Sequence, residues 1–281
     1  MKFLSPVRPS PIAGSWYPGD AAVLKSTVKE YIDTASVPGL PGKVVGLISP
    51  HAGYIYSGPT AGYAYRCVVG ADYDTVVVIS PLHDYRPEPF LTTAYEAYAT
   101  PMGKISVDQK LLSSLEEALA KKTGLQIVPH ARDREHSLEI QLPFLQFALV
   151  KPFTLLPLMV REHQPGPLKE FAFALAEILK GKNVLLVAST DLSHFFTEEQ
   201  ANHLDGFMLE QIHQFSPEGV LRAEEEGTGS ACGNGAVAVV LWAARELGGK
   251  TVTILHHTTS AETTGDRSQV VGYGAAVICG D

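Results

Sequence analysis

Three histidines follow the same kind of local sequence. VVGLISPHAGY delivers His51, TVVVISPLHDY delivers His83, and NVLLVASTDLSHF delivers Asp191 and His194. Each apolar run stops at a serine, and a histidine follows within a few residues. Imidazole binds transition metals through a ring nitrogen and exchanges protons near neutrality. Two neutral imidazoles and one anionic ligand on one side of an ion leave open coordination positions, a donor set suited to iron(II). A histidine outside the metal shell can act as acid/base, and Asp191 can orient His194 or join the metal shell. Cys232 is a fourth candidate. It lies in GTGSACGNGAVAVVLW, where a glycine-rich loop runs into an apolar helix, and a helix N-terminus favours a thiolate. A set of histidine and cysteine ligands would instead suit zinc with a bound water, and hence hydrolysis. Taken singly, each histidine could be a polar surface residue and Cys232 a packing residue. The threefold repetition of the same ending is what argues for a shared site.

The elements that must position these residues are legible. Short uncharged runs, as in strands buried on both faces, cover Val44–Ile48, Thr75–Ile79, Thr154–Met159, Val184–Ala188, Val252–Leu255 and Val270–Ile278. Phe90–Ala99 is more polar and predicts an edge strand or hairpin. Helices are expected at Ala21–Asp33, Asp108–Lys122, Glu135–Ala148, Pro167–Lys180, Glu198–Phe215, Pro217–Glu226 and Gly233–Leu247, with Asp108 as an N-cap, Gly181 and Gly248 as stops, and Pro143 kinking or shortening its helix. Strands and helices alternate along the chain, which predicts a single α/β domain over residues 1–281 with a central, largely parallel or mixed sheet flanked by helices. In such sheets ligands bind beyond the carboxyl ends of the strands. Parallel neighbours would therefore bring His51, His83, His194 and Asp191 to one cleft.

Other polar residues carry less. His136 and Glu139 are spaced to share a helix face, but Arg132, Arg134, Glu135 and Ser137 crowd the segment, so capping and supporting hydrogen bonds are expected there. His256 and His257 follow a strand and read as supporting or core residues. His130, His163, His203 and His213 read as solvent-facing, and Cys67 and Cys279 as core. The segment Thr258–Ser268 could line a pocket mouth. No P-loop, dinucleotide fingerprint or G-x-S-x-G elbow is present.

Composition excludes several function classes. The chain has 281 residues and a net charge of −8, which argues against nucleic-acid binding through a broad basic face and against adhesion to anionic membranes. Hydrophobic residues make up 45% and charged residues 19%, values of a folded globular chain. The apolar run Ala236–Ala244 is too short to span a bilayer, which takes about 20 residues. MKFLSPVRPSP has prolines where a signal peptide needs an apolar stretch, so a cytoplasmic location is expected. An odd set of three widely spaced cysteines argues against a disulfide framework.

Nearly end to end, the chain resembles the Memo-like proteins, the B component of the bacterial and archaeal AmmeMemoRadiSam group. The resemblance rests on AGSWYP (Ala13–Pro18), PHAGYIYSG (Pro50–Gly58), SPLHDY (Ser80–Tyr85), EHSLEIQLPFL (Glu135–Leu145), STDLSHF (Ser189–Phe195), ACGNG (Ala231–Gly235) and TTSAETTGDRSQVVGYGAA (Thr258–Ala276). That family is similar in fold to the class III extradiol dioxygenases, in which two histidines and a glutamate hold iron(II) and another histidine serves as acid/base. The resemblance implies His51 and His83 as metal ligands, with Cys232 where the dioxygenases have glutamate. It implies His194 as acid/base with Asp191 beside it, and Trp16 and Tyr54 as pocket wall. It also implies a radical-SAM enzyme and its companion protein as partners. Two departures stand out. Asp84 follows His83 where the family more often has a basic residue or a second histidine, and cysteine replaces the dioxygenase glutamate, a soft ligand that would favour copper(I) or zinc over iron.

The expectation is therefore a metal-binding protein with a dioxygenase-like cleft, iron(II) favoured, acting by redox or oxygenase-type chemistry on a small molecule or modified residue. Two alternatives stand beside it: a non-catalytic module that binds metal, a small ligand or a peptide, and a zinc-type hydrolase.

Overall fold

The computed structural model describes residues 6–281; Met1–Ser5, part of the segment read above as unlike a signal peptide, lie outside the described residues. In chain order the strands are β1 (Val7–Arg8), β2 (Lys43–Ser49), β3 (Thr75–Pro81), β4 (Phe90–Thr93), β5 (Ala97–Thr100), β6 (Gly103–Ser106), β7 (Ile127–His130), β8 (Thr154–Val160), β9 (Val184–Ser189), β10 (His194–Phe196), β11 (Gly249–Thr259) and β12 (Val270–Gly280). The helices are α1 (Ala21–Thr34), α2 (Tyr54–Arg66), α3 (Gln109–Thr123), α4 (His136–Glu139), α5 (Leu142–Ala148), α6 (Pro165–Leu179), α7 (Glu198–His213), α8 (Pro217–Glu225), α9 (Asn234–Glu246) and α10 (Ala261–Thr264).

Among the described residues the main sheet has nine strands in the order β10-β12-β2-β9-β3-β8-β4-β7, with β11 also paired to β12. Its centre, β2-β9-β3-β8, is parallel; β12 joins antiparallel on one side and β4 on the other. The sheet is thus mixed around a parallel middle. Side chains alternate along the central strands. Val77, Ile79, Leu156, Leu158, Leu186 and Ala188 enter one core, which α3, α6, α8 and α9 cover. Val76, Val78, Leu155, Leu185 and Val187 enter the other, with α1, α2 and α5. Period-2 strands whose two faces are both apolar need helices on both sides, and this is why the strand runs carry no charge.

Three expectations change. Phe90–Ala99 is not a hairpin: β4 joins the main sheet, while β5 belongs to a small sheet with β1 and β6. Glu135–Ala148 is two helices, since Pro143 opens α5 rather than bending a continuous helix. α2, with Pro59 inside it, has no counterpart among the expected helices; its glycines Gly58 and Gly62 lie so close to Tyr31 of α1 that a Cβ would collide. None of the described helices is long and apolar enough to cross a membrane.

Candidate metal centre

Strand β9 lies between β2 and β3, and all three run the same way, with Ser49 beside Ser189 and Ile79 beside Ala188. Their carboxyl ends therefore release His51, His83 and Asp191 side by side. The chain continues from Asp191 into a short turn tied to β12, where Leu192 N–H donates to Gly272 O, and this turn carries His194 onto β10. Gly233 lets the start of α9 close over the end of β9; a Cβ there would lie 2.4 Å from Ser189 O. The result is a cleft of about 610 Å³ lined by Trp16, His51, His83, His136, Asp191 and His194, among others.

His51 is buried at the floor. Its N–H donates to Asp191 Oδ1 at 2.6 Å, and its Nδ1 is 3.0 Å from Ser189 Oγ. The Ser189 hydroxyl donates to Ser137 O at 2.6 Å and accepts from Gln141 Nε2 at 2.8 Å. Gln141 is itself oriented by Tyr65, whose hydroxyl donates to Oε1 at 2.7 Å. With its own proton committed, Ser189 can only accept from His51. Nδ1 of His51 therefore carries the ring proton and Nε2 presents a lone pair. Burial, and then the neighbouring His136 and His83, push the His51 imidazole well below its usual value, so it is neutral.

His83 stands at the rim. Glu135 holds it twice, accepting from His83 N–H at 2.6 Å and from Nδ1 at 2.9 Å. Burial opposes charge on this ring, but the Glu135 carboxylate outweighs it and His83 is raised above the usual histidine value. His136 stacks on His83 with ring centroids 4.6 Å apart, and its Nδ1 is 3.2 Å from the same Glu135 oxygen. Its imidazole is lowered to about 4, first by burial and then by His83, although Glu135 pulls the other way. His51, His83 and His136 thus offer ligand atoms that lie within 4.8 Å of one another. An ion with bonds of about 2.1 Å needs only a small adjustment of the rings to be held there. Neutral imidazoles fixed through their far nitrogen are what such an ion requires.

The remaining residues fall as follows. His194 Nδ1 lies 2.9 Å from Leu192 O, which only accepts, so Nε2 is the atom free to take a proton. Burial lowers its pKa. Asp191 is buried; desolvation raises it to about 7 against the backbone N–H groups of His51 and Ala52, which donate to it. Cys232 Sγ lies 3.2 Å from His51 Nε2 and 3.6 Å from Asp191 O, and it is outside the mutually close donor set. Burial, then Asp191, push the thiol far up, and Cys232 N–H is spent on Asp191 O rather than left free at a helix end. Trp16 lines the cleft with its ring 4.2 Å from that of His136. Tyr54 does not: its hydroxyl donates to Ile140 O at 2.8 Å and its ring packs against Tyr17 and Phe144 beneath the site.

His136, expected as a capping or supporting residue, lies in the cluster, while Glu139 turns away to Arg8. The available signal is the neighbouring Glu135, which accepts from Ser137 N–H as the cap of α4 and contacts both His83 and His136. His130 is buried, not solvent-facing. His257 contacts the buried Asp205 at 2.8 Å. Ser260 and Thr264 line the cleft, as the Thr258–Ser268 segment suggested.

A family model described as Memo-like protein matches residues 8–277. A MEMO1 family protein of Nitrosopumilus maritimus is 33% identical over 273 residues, covering 96% of this chain and 98% of that protein. A MEMO1 family protein of Thermotoga neapolitana is 34% identical over 283 residues, covering 97% and 99%. Among solved structures, the uncharacterized protein JW3007 from Escherichia coli K12 superposes with a TM-score of 0.55 over 85% of this chain and all (100%) of that one, at 15% identity. That likeness is one of fold.

Proposed function

The chain belongs to the Memo-like family, and we propose that its cleft holds a transition-metal ion, iron(II) first, and performs redox or oxygenase-type chemistry on a small molecule or modified residue. The observation that carries this reading is the convergence of three imidazoles on an open cleft, with His51 and His83 each tied through Nδ1 by a separate partner. Bound there, such an ion would supply electron-transfer chemistry and open coordination positions. The protein's own part is to orient and to move protons. Ser189 and Glu135 fix the His51 and His83 rings. His194 Nε2 receives a proton from an acidic group of the ligand. Asp191, which titrates near neutrality, holds the turn between His51 and His194 through the His51 N–H. Trp16 and Tyr56 line the cleft.

One observation favours a second ligand set. Cys232 Sγ, 3.2 Å from His51 Nε2, stands at the separation of two donors on one ion. In that set Cys232 takes the place of His136, and the ion must displace the thiol proton.

The test is anaerobic reconstitution with iron(II), copper(I) or zinc, elemental analysis, and oxygen uptake with a panel of small molecules. His83→Ala should lose the metal, whereas His194→Gln should keep it and lose turnover. His136→Ala and Cys232→Ser separate the two ligand sets. Wild-type protein that takes up no metal overturns the reading; zinc-dependent ester or phosphate hydrolysis without oxygen uptake gives the site to hydrolysis.

A further inference from the structure

His194 is oriented from outside the cleft. Its Nδ1 donates to Leu192 O at 2.9 Å, and that carbonyl belongs to the peptide unit that also carries Ser193 N–H. The unit is planar and trans, so its C=O and N–H point in opposite directions and turn together. The units on either side are tied to β12: Leu192 N–H donates to Gly272 O and Gly272 N–H donates to Ser193 O, both at 2.8 Å. These bonds leave the unit between them able to flip. Its N–H is held instead from α7, where Asp205 Oδ1 accepts it at 2.9 Å.

Asp205 is fully buried, and a buried carboxyl is costly unless its oxygens are engaged. Oδ2 lies 2.8 Å from Nε2 of His257 on β11, with one proton between them. Gly272 makes room for this oxygen, since a Cβ there would collide with it. A turn N–H needs only a neutral acceptor. Here a buried carboxyl, a histidine and a position without a side chain all serve one N–H. Asp191, the acid that the sequence places beside His194, is engaged elsewhere: its Oδ1 accepts from His51 N–H at 2.6 Å.

We infer that Asp205 is the positioning residue of His194: through the Leu192–Ser193 peptide it aims the carbonyl at Nδ1, fixes the ring tautomer and leaves Nε2 free to take a proton in the cleft. An N–H that donates to a carboxyl also makes the carbonyl of the same unit a stronger acceptor. The arrangement is a base oriented by an acid, with a peptide unit inserted between them. The inference deepens the proposed function and rests on it for the role of His194 as a proton acceptor.

Nitrogen-15 NMR of histidine-labelled protein reads the tautomer directly, without ligand or metal. Spectra are taken at about pH 8, where His194, lowered by burial, is neutral. Its signals are assigned by their loss in His194→Gln. Wild-type protein should show His194 almost wholly in the Nδ1–H form, although an imidazole free in water favours Nε2–H. Asp205→Ala should move most of it to Nε2–H. Asp205→Asn should restore the Nδ1–H form, because the amide oxygen still accepts from Ser193 N–H and the amide nitrogen still meets His257. Should Asp205→Ala not fold, Gly272→Ala displaces the carboxyl without removing it and carries the same expectation. Metal content should be the same in wild type, Asp205→Ala and Asp205→Asn, since Ser189 and Glu135 hold the His51 and His83 rings. A wild-type His194 in the Nε2–H form overturns the inference. So does a His194 signal unchanged in Asp205→Ala, even where the melting temperature falls, because Asp205 is then a packing residue only. An Asp205-dependent tautomer in a protein that takes up no metal keeps this inference and defeats the metal reading. Normal metal uptake with a tautomer independent of Asp205 does the reverse.

Discussion

Two polar clusters meet at the segment Asp133–Glu139, and they are built on opposite principles. On one side Arg8, fully buried, pairs with Asp133 at 2.8 Å and with Glu139, and donates to Glu135 O at 2.7 Å. Tyr17 donates to Glu139 at 2.7 Å and Tyr98 to Asp133 at 3.1 Å. Every charge there has a partner. On the other side His51, His83 and His136 converge with Nδ1 atoms engaged and donor atoms left facing one another. A closed network of buried charges fixes the chain and offers nothing to a ligand. A cluster of imidazoles held through their far nitrogens offers ring nitrogens to a ligand. Glu135 joins the two: its carbonyl is held by Arg8 and its carboxylate holds His83.

The contrast can be broken most forcibly at Arg8. Arg8→Met should cost about 3–5 kcal/mol in denaturant unfolding, because Asp133 and Glu139 are left buried without a counter-charge. Adding Asp133→Asn and Glu139→Gln to it should recover much of that loss. His83→Ala should behave oppositely. Metal affinity should fall by about 100-fold or more while stability changes by less than ~1 kcal/mol, since His83 stands at the rim; titration calorimetry and denaturation on one sample check both.

Glu135→Gln tests the junction. One amide oxygen replaces the two carboxylate oxygens that serve His83 N–H, His83 Nδ1 and Ser137 N–H. Metal affinity should drop by roughly 10–100-fold. Acidification has a related and smaller effect. Although burial opposes it, Glu135 raises His83 above the usual value, and a proton competes with the ion for Nε2. Affinity should fall by about tenfold per pH unit below that raised value. The fall should steepen below about 4, where His136 also takes a proton. Without metal the sign reverses for His83: its contribution to stability is present below the unfolded histidine value and is lost as pH rises through the folded one. The smallest effect is expected at Ser189→Ala, about tenfold in affinity and ~1 kcal/mol in stability, because Gln141 and His51 lose their shared partner.

How far the site is legible depends on where its information lies. His51, His83 and Asp191 sit directly after apolar runs, and short parallel strands must release their chain at a common edge, so local pattern is enough to group them. His136 has no such run before it. Its position follows from Glu135, whose role requires the loop after β7 to lie against the end of β3, a long-range fact. Tyr54 shows the converse error: it belongs to the motif around His51, yet the turn of α2 aims its ring beneath the site.

The identity of strands β2, β3, β8, β9, β11 and β12, the two-faced burial of the central sheet and the histidines at its carboxyl edge were determined by the sequence alone, because each depends on residues within a few positions of one another. Tertiary structure decided which imidazoles face one another, which nitrogen of each is free, and what surrounds Cys232. The helix start after Gly233 suggested a lowered thiol pKa, but burial, and then Asp191, push it up. Desolvation and neighbouring charge depend on what the whole chain brings within a few ångströms, and no local pattern encodes that.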